Sequence, residues 1–330
     1  MIRKFLKFLS SIPFIKNYYS GIATIFMLHR VDNIDSSKLA PNENMKVSPV
    51  FLEKFITILK SEGYEFISLN ELYEILLKGY KVKRKSVLTF DDGYKDNFLN
   101  AYPILKKHKI PFTIYVTSAF IERQGILWWY ALEDLILNND EVVLSNGMKF
   151  RCVTKKEKEQ TFLEIRKIIL STKIRSFEDF FKKLNEMFSN YKIDWFIKTQ
   201  ELCMNKEELH AISQDELCTI GGHTINHLPL SQLPIEEVKK EIIEANRKLE
   251  EIINKRIEHF AYPFGGKLET GHRELQLVKN LNLKTATTNR RGNVYLEHKN
   301  YMYCLPRIML IENFDIRDIW RIRKRRIATI

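Results

Sequence analysis

The sequence predicts an α/β fold of parallel strands joined by crossover helices and interrupted by a helical insertion. Short apolar, β-branched runs read as strands buried on both faces. Capped segments of helical periodicity separate them. A charged, helix-favouring stretch from about 128 to 215 then breaks the alternation before it resumes. An open doubly wound sheet and a closed barrel both satisfy this pattern.

The first strand is read in Ile22 to Leu28, which places His29 at its C-terminal end. Ser48 followed by Pro49 is a cap with a first-turn proline, Phe51, Phe55, Ile58 and Leu59 repeat at helical spacing, and Gly63 supplies the stop. Glu65 to Ser68 reads as a strand. The capping box Ser68-Leu-Asn-Glu71 opens a helix that Gly79 closes, and Ser86 to Phe90 follows as strand. A helix from Asn97 to His108 and a strand from Pro111 to Val116 complete a βαβαβαβ series.

Segments such as Lys155-Lys-Glu-Lys-Glu-Gln160 and Phe177 to Lys183 mark the insertion as helical. The alternation resumes with strand Leu217 to Gly221, a helix from Pro234 to about Asn254, strand His259 to Tyr262, a helix to about Asn282, and strand Lys284 to Thr287. The expected organisation is a basic, apolar segment over 1–20, a main domain over 21–310 interrupted at about 128–215, and a basic tail over 311–330.

With 330 residues and 45% hydrophobic content, the chain can bury a large core, which excludes disorder over most of its length. Cys152, Cys203, Cys218 and Cys304 form no C-x-x-C pair, so they read as thiols in a reducing compartment or simply buried ones. Lys7 and Pro13 interrupt the N-terminal apolar residues, and the segment is expected to remain uncleaved. No run approaches the roughly 18 apolar residues of a spanning helix. The expectation is a cytoplasmic protein, either soluble or peripheral at the inner membrane face.

The net charge of +12 favours anionic surroundings. It concentrates in Arg3, Lys4, Lys7 and Lys16 and in Arg321, Arg323, Lys324, Arg325 and Arg326, at ends that also carry large apolar residues. That mixture suits helices lying on an anionic bilayer, and equally suits solvated terminal helices. No nucleic-acid-binding motif accompanies the charge, so no specific nucleic-acid partner is expected. No protein partner is inferred.

Thr89-Phe90-Asp91-Asp92-Gly93 puts two carboxylates where a strand ends, and adjacent strand residues point to opposite sides. Alone, the segment reads first as a loop with an Asp-Asp-Gly turn. His223 and His227 stand four apart, which on a helical turn brings both imidazoles to one face within reach of one metal ion.

Taken with Ala261-Tyr262-Pro263-Phe264-Gly265, these segments resemble, in order, the motifs of the NodB-homology polysaccharide deacetylases, carbohydrate esterase family four. The resemblance runs from about Ile22 to Leu310, outside the insertion. It implies a distorted (β/α)7-type barrel with its site at the C-terminal strand ends. It further implies Asp91 as general base, with Asp92, His223 and His227 holding a divalent ion. Zinc is expected first, and cobalt, nickel, iron or manganese fit the same donors. Such an ion polarises a poorly electrophilic amide carbonyl and acidifies water.

By the same resemblance, the backbone N–H of Tyr94 is expected to face the oxyanion. The family's late Leu-x-His motif is replaced here by Leu305-Pro306-Arg307; Met27-Leu28-His29-Arg30 instead resembles the early strand end where poly-N-acetylglucosamine deacetylases carry the acid histidine, which implies His29 as general acid. Ala261 stands where many relatives carry an arginine that orients the base. Arg307, grouped with the substrate-facing residues, could reach in from another strand instead. Tyr262, Pro263 and Phe264 are expected to wall the substrate groove, and Trp129, with Trp128, to offer a stacking face for a sugar ring. His108, His210, His259, His272 and His298 read as ordinary surface or core residues.

The function expected is metal-dependent removal of acetyl groups, foremost the N-acetyl of an N-acetylhexosamine, from a bacterial surface polysaccharide or its lipid-linked precursor. O-deacetylation is the nearest variant. The alternative from another class is a catalytically silent glycan- or membrane-binding module on the same fold, motivated by the missing late histidine and by Ala261.

Overall fold

The computed structural model describes residues 18–320, so the basic clusters expected at the two ends lie outside the described residues. Seven parallel strands form the central sheet: β1 (Ala23–Leu28), β2 (Lys85–Phe90), β3 (Phe112–Val116), β4 (Cys218–Gly222), β5 (His259–Ala261), β6 (Thr285–Arg291) and β7 (Leu305–Met309). Consecutive strands are neighbours in space, and β1 pairs with both β2 and β7, which closes the sheet into a barrel. The distorted (β/α)7-type barrel is therefore borne out. The distortion is visible at β6, where the register against β7 shifts between Thr287 and Arg291. A short extra strand, Glu65–Phe66, pairs with the start of β2.

The strands form because their apolar runs are covered on both faces, and every residue of β1 and β3 is buried. Phe26, Leu28, Leu88, Phe90, Ile114 and Val116 pack against Leu52, Phe55, Ile56 and Leu59 of α1 (Pro49–Ser61). Each such side chain contributes roughly 1.5–3 kcal/mol on burial. Ser48 caps α1 by accepting from the Phe51 N–H at 3.1 Å. In α2 (Leu69–Lys78) the Ser68/Glu71 capping box forms as the sequence predicts, and Gly79 ends the helix at φ +70°.

After the short α3 (Tyr102–Lys107) and β3, the chain runs through α4 (Trp128–Leu137), α5 (Lys155–Ser171), α6 (Phe177–Met187), α7 (Ile197–Leu202) and α8 (Lys206–Ser213) before β4. This stretch is not purely helical. Glu141–Val143 and Lys149–Arg151 pair as an antiparallel hairpin around Asn146-Gly147, with Gly147 at φ +86°. An Asn-Gly pair flanked by alternating apolar residues is a strong hairpin signal that the surrounding charge obscured. Its Val142 and Phe150 join one cluster with Trp128, Phe162, Ile165 and the barrel residues Phe260 and Ala286. Two more helices, α9 (Ile235–Ile253) and α10 (His272–Lys279), follow β4 and β5.

The four cysteines are free and buried. Among the described residues, no helix is long and apolar enough to cross a membrane.

Candidate functional site

The residues that the sequence singles out as base, acid and metal ligands all follow barrel strands at their C-terminal ends. His29 follows β1, where its carbonyl accepts from the Asn97 side chain at 2.8 Å. Asp91 and Asp92 follow β2. Asp92 adopts φ +74° and Gly93 φ +79°, so the chain turns sharply just beyond the two carboxylates. Thr224, His227 and Phe264 also occupy the left-handed region. Strain of this kind costs about 1–3 kcal/mol per residue and concentrates at functional sites.

His223 and His227 lie in a loop after β4, not on a helical turn as their spacing suggested. The left-handed Thr224 breaks any helical path, and its hydroxyl accepts from the His227 N–H at 3.0 Å. Glu241 of α9 completes the turn: its carboxylate accepts from the Ile225 and Asn226 N–H groups, both at 2.9 Å, and from the Asn226 side chain at 2.7 Å. The loop then brings both imidazoles to Asp92, with Oδ1 3.4 Å from His223 Nε2 and 3.2 Å from His227 Nε2.

Asp92, His223 and His227 offer ligand atoms within 4.8 Å of one another, all buried. His223 Nδ1 lies 2.7 Å from the Ala261 carbonyl, which assigns the proton to Nδ1 and leaves the Nε2 lone pair facing Asp92. Asp92 Oδ1 is buried without a hydrogen-bond partner among the described residues. A carboxylate oxygen, two imidazole nitrogens and an orphaned buried acceptor fit a divalent cation. Burial opposes the Asp92 charge, but the protonated forms of His227 and His223 outweigh it and hold the carboxyl well below the usual range. Burial pushes His227 down, only partly offset by Asp92.

Asp91 is gripped from behind. Arg307, on β7, donates from Nη1 to Oδ1 at 2.6 Å and from Nη2 to Oδ2 at 2.8 Å. Its Nε also donates to the Thr288 carbonyl at 3.2 Å, so the fork itself is fixed. Burial would raise the Asp91 carboxyl, yet Arg307, with His223 and His29, wins and keeps it ionised. His29 Nε2 stands 4.0 Å from Asp91 Oδ2. Burial lowers the His29 pKa, while Asp91 and Asp92 pull it back up.

These groups line a cavity of about 250 Å³ with Tyr94, Trp128, Trp129, Phe264 and Arg166. Trp129 lies 5.2 Å from the His227 ring and 6.4 Å from Phe264, and its Nε1 donates to the Tyr94 hydroxyl at 3.3 Å. Three expectations need correction. Tyr262 is buried in the core, where its hydroxyl donates to the Tyr303 carbonyl, and neither it nor Pro263 lines the cavity. Phe264 alone of that motif does. Arg307 does not line the cavity either; its guanidinium is spent on Asp91, and it is only 1% exposed.

Glu241 and Arg166 escaped the sequence reading. Glu241 had a legible signal, since it falls on the apolar stripe Val238, Ile242, Ala245 and Leu249 of its helix. Arg166 had none, because a charged residue in a charged helix carries no mark of what it faces.

A family model for polysaccharide deacetylase matches residues 78–168 and 175–286. The poly-β-1,6-N-acetyl-D-glucosamine N-deacetylase of Staphylococcus aureus is 33% identical over 122 residues, 37% of this chain; the match spans 41% of that relative's length. In three dimensions the chain is similar to a Streptococcus pyogenes deacetylase solved with acetate, with a TM-score of 0.52 and 20% identity over 88% of this chain and 93% of that one. A polysaccharide deacetylase from Bacillus cereus gives 0.56 and 17%, over 90% and 67%. At these identities the structures speak for the fold.

Proposed function

The chain belongs to the polysaccharide deacetylase family, and from that premise we propose that it hydrolyses acetyl groups, foremost the N-acetyl of an N-acetylhexosamine, in a bacterial surface glycan or its lipid-linked precursor. The observation that carries the proposal is the division of labour between adjacent aspartates. Asp91 is ionised and clamped by Arg307, while Asp92 faces two imidazoles. The substrate named for the Staphylococcus aureus relative supports the choice of sugar.

In this reading Asp92, His223 and His227 hold a divalent ion, which supplies Lewis-acid polarisation of the acyl oxygen. Asp91 accepts a proton from the attacking water as the new carbon–oxygen bond forms. Arg307 keeps that carboxylate oriented and low enough in pKa to be free of a proton beforehand. His29, across the same cavity, delivers a proton to the leaving nitrogen as the carbon–nitrogen bond breaks, giving acetate and a free amine. The negative charge that develops nearby favours the protonated imidazole. Trp129 offers the sugar an aromatic face, and the Tyr94 N–H, just past Gly93, donates to the oxyanion in this reading.

In this reading the two departures that favoured a silent binding module are made good: Arg307, which grips Asp91, stands in for the arginine missing at Ala261, and His29 for the late histidine. The test is acetate release from N-acetylated and O-acetylated glycans. Asp91→Asn abolishes turnover but keeps metal, whereas Asp92→Asn and His223→Ala lose both. The basic ends lead us to propose contact with the inner face of an anionic membrane. Salt-sensitive co-sedimentation with phosphatidylglycerol vesicles tests that contact, and no difference from neutral vesicles refutes it.

A further inference from the structure

Arg166 lies on α5, outside the barrel, yet its side chain lines the same cavity as His29, Asp91 and Asp92. It is half-buried, and among the described residues it makes no hydrogen bond and no ion pair within 4.0 Å. Two more deeply buried cations are matched: Arg307 grips Asp91, and Arg30 donates to Asp96 at 2.7 Å. Glu269 attracts Arg166 only from longer range, and burial pulls the guanidinium's pKa down. Five N–H donors held partly out of water without an acceptor are costly.

The guanidinium carbon sits 5.7 Å from the centre of the Phe264 ring, and that ring lies 4.6 Å from His227. One aromatic ring therefore separates it from the catalytic groups. Packing against Phe264 holds the planar fork in place. The two carboxylates that line the cavity both face other groups, Asp91 the Arg307 fork and Asp92 the two imidazoles, so neither serves as the acceptor for Arg166.

We propose that Arg166 binds an anionic substituent, a phosphate or a carboxylate, carried by the acetylated sugar or its neighbour, so that the substrate is an anionic acetamido glycan. The acetamide half of this statement rests on the deacetylase reading; the charge half does not. A purely structural Arg166 would only cover Phe264 with its methylene stem.

Equilibrium binding to the full chain separates the two, because it needs no turnover. The probes are N-acetylglucosamine, N-acetylglucosamine 1-phosphate and N-acetylmuramic acid, read by tryptophan fluorescence or calorimetry. At least one anionic sugar binds roughly tenfold or more tighter than the neutral one, the gain of a charge-assisted hydrogen bond. The ratio falls to about one in Arg166→Gln and is partly kept in Arg166→Lys. Preference for the phosphate or for the carboxylate identifies the source. Equal affinity for all three sugars, or a ratio unchanged in Arg166→Gln, overturns the proposal. Acetate release without anionic preference defeats this inference alone. Anionic preference without acetate release defeats the deacetylase reading alone.

Discussion

Replacing Arg307 by methionine leaves the Asp91 carboxylate buried with its clamp removed. Two charge-assisted hydrogen bonds, at 2.6 and 2.8 Å, disappear together, along with those to Thr288 and Thr89. Breaking a buried pair by removing one partner costs about 3–5 kcal/mol. In the native protein Asp91 lies below 3.8, so its contribution is present above that value and is lost as pH falls through the folded pKa. In the variant burial acts with its main opponent gone, the folded pKa rises above 3.8, and the buried charge destabilises until it is protonated. Urea unfolding near pH 7.5 should therefore show the full deficit, narrowing as pH falls and Asp91 takes up a proton. The acid limb of the kcat/KM profile should move to higher pH in step. A deficit under about 1 kcal/mol at neutral pH, or one independent of pH, would refute the assignment of Arg307 as the group that holds the base.

Three further outcomes follow from the same geometry. Glu241→Ala leaves the Ile225 and Asn226 N–H groups without their acceptor, so stability should fall by about 1–3 kcal/mol. Metal affinity should drop roughly 10–100-fold, and isothermal titration with zinc showing native affinity would contradict the link. His259, pushed down to about 3 by burial, contributes stability above its unfolded 6.5 that is lost as pH falls toward the folded value. The loss is roughly 2.5 kcal/mol between about pH 7.5 and 4.5, and His259→Gln should flatten the acid limb of a stability profile by that amount. Zinc should raise the melting temperature of the native chain and leave Asp92→Asn unmoved; an equal rise in both would place the ion elsewhere.

Strand positions were legible because apolar runs such as Ala23–Leu28 and Phe112–Val116 have to be covered on both faces, and helix starts because Ser48 and Ser68 cap them chemically. Closure into a barrel was not, since it depends on β1 meeting β7 across nearly the whole chain, and only the resemblance suggested it. In the site, Asp92, His223 and His227 converge as their motifs imply, but the path of the loop does not follow from spacing. Backbone at positive φ at Thr224 and a carboxylate supplied by α9 decide it. Arg307 was legible as a candidate and misfiled by role, because sequence cannot say whether a guanidinium faces a substrate or the base behind it. Tyr262 shows the same limit: in a motif of aromatic residues, only Phe264 turns to the cavity.

In the proposed mechanism Asp91 works as a base beside a cation held by Asp92, His223 and His227. Acetate release from an N-acetylglucosamine oligomer, measured on one sample before chelation, after chelation and after zinc is restored, tests it most directly. Activity, its loss and its return are expected, with Asp91→Asn inactive throughout although it binds zinc. Full activity in the metal-free chain, or turnover by Asp91→Asn near the native rate, would contradict it.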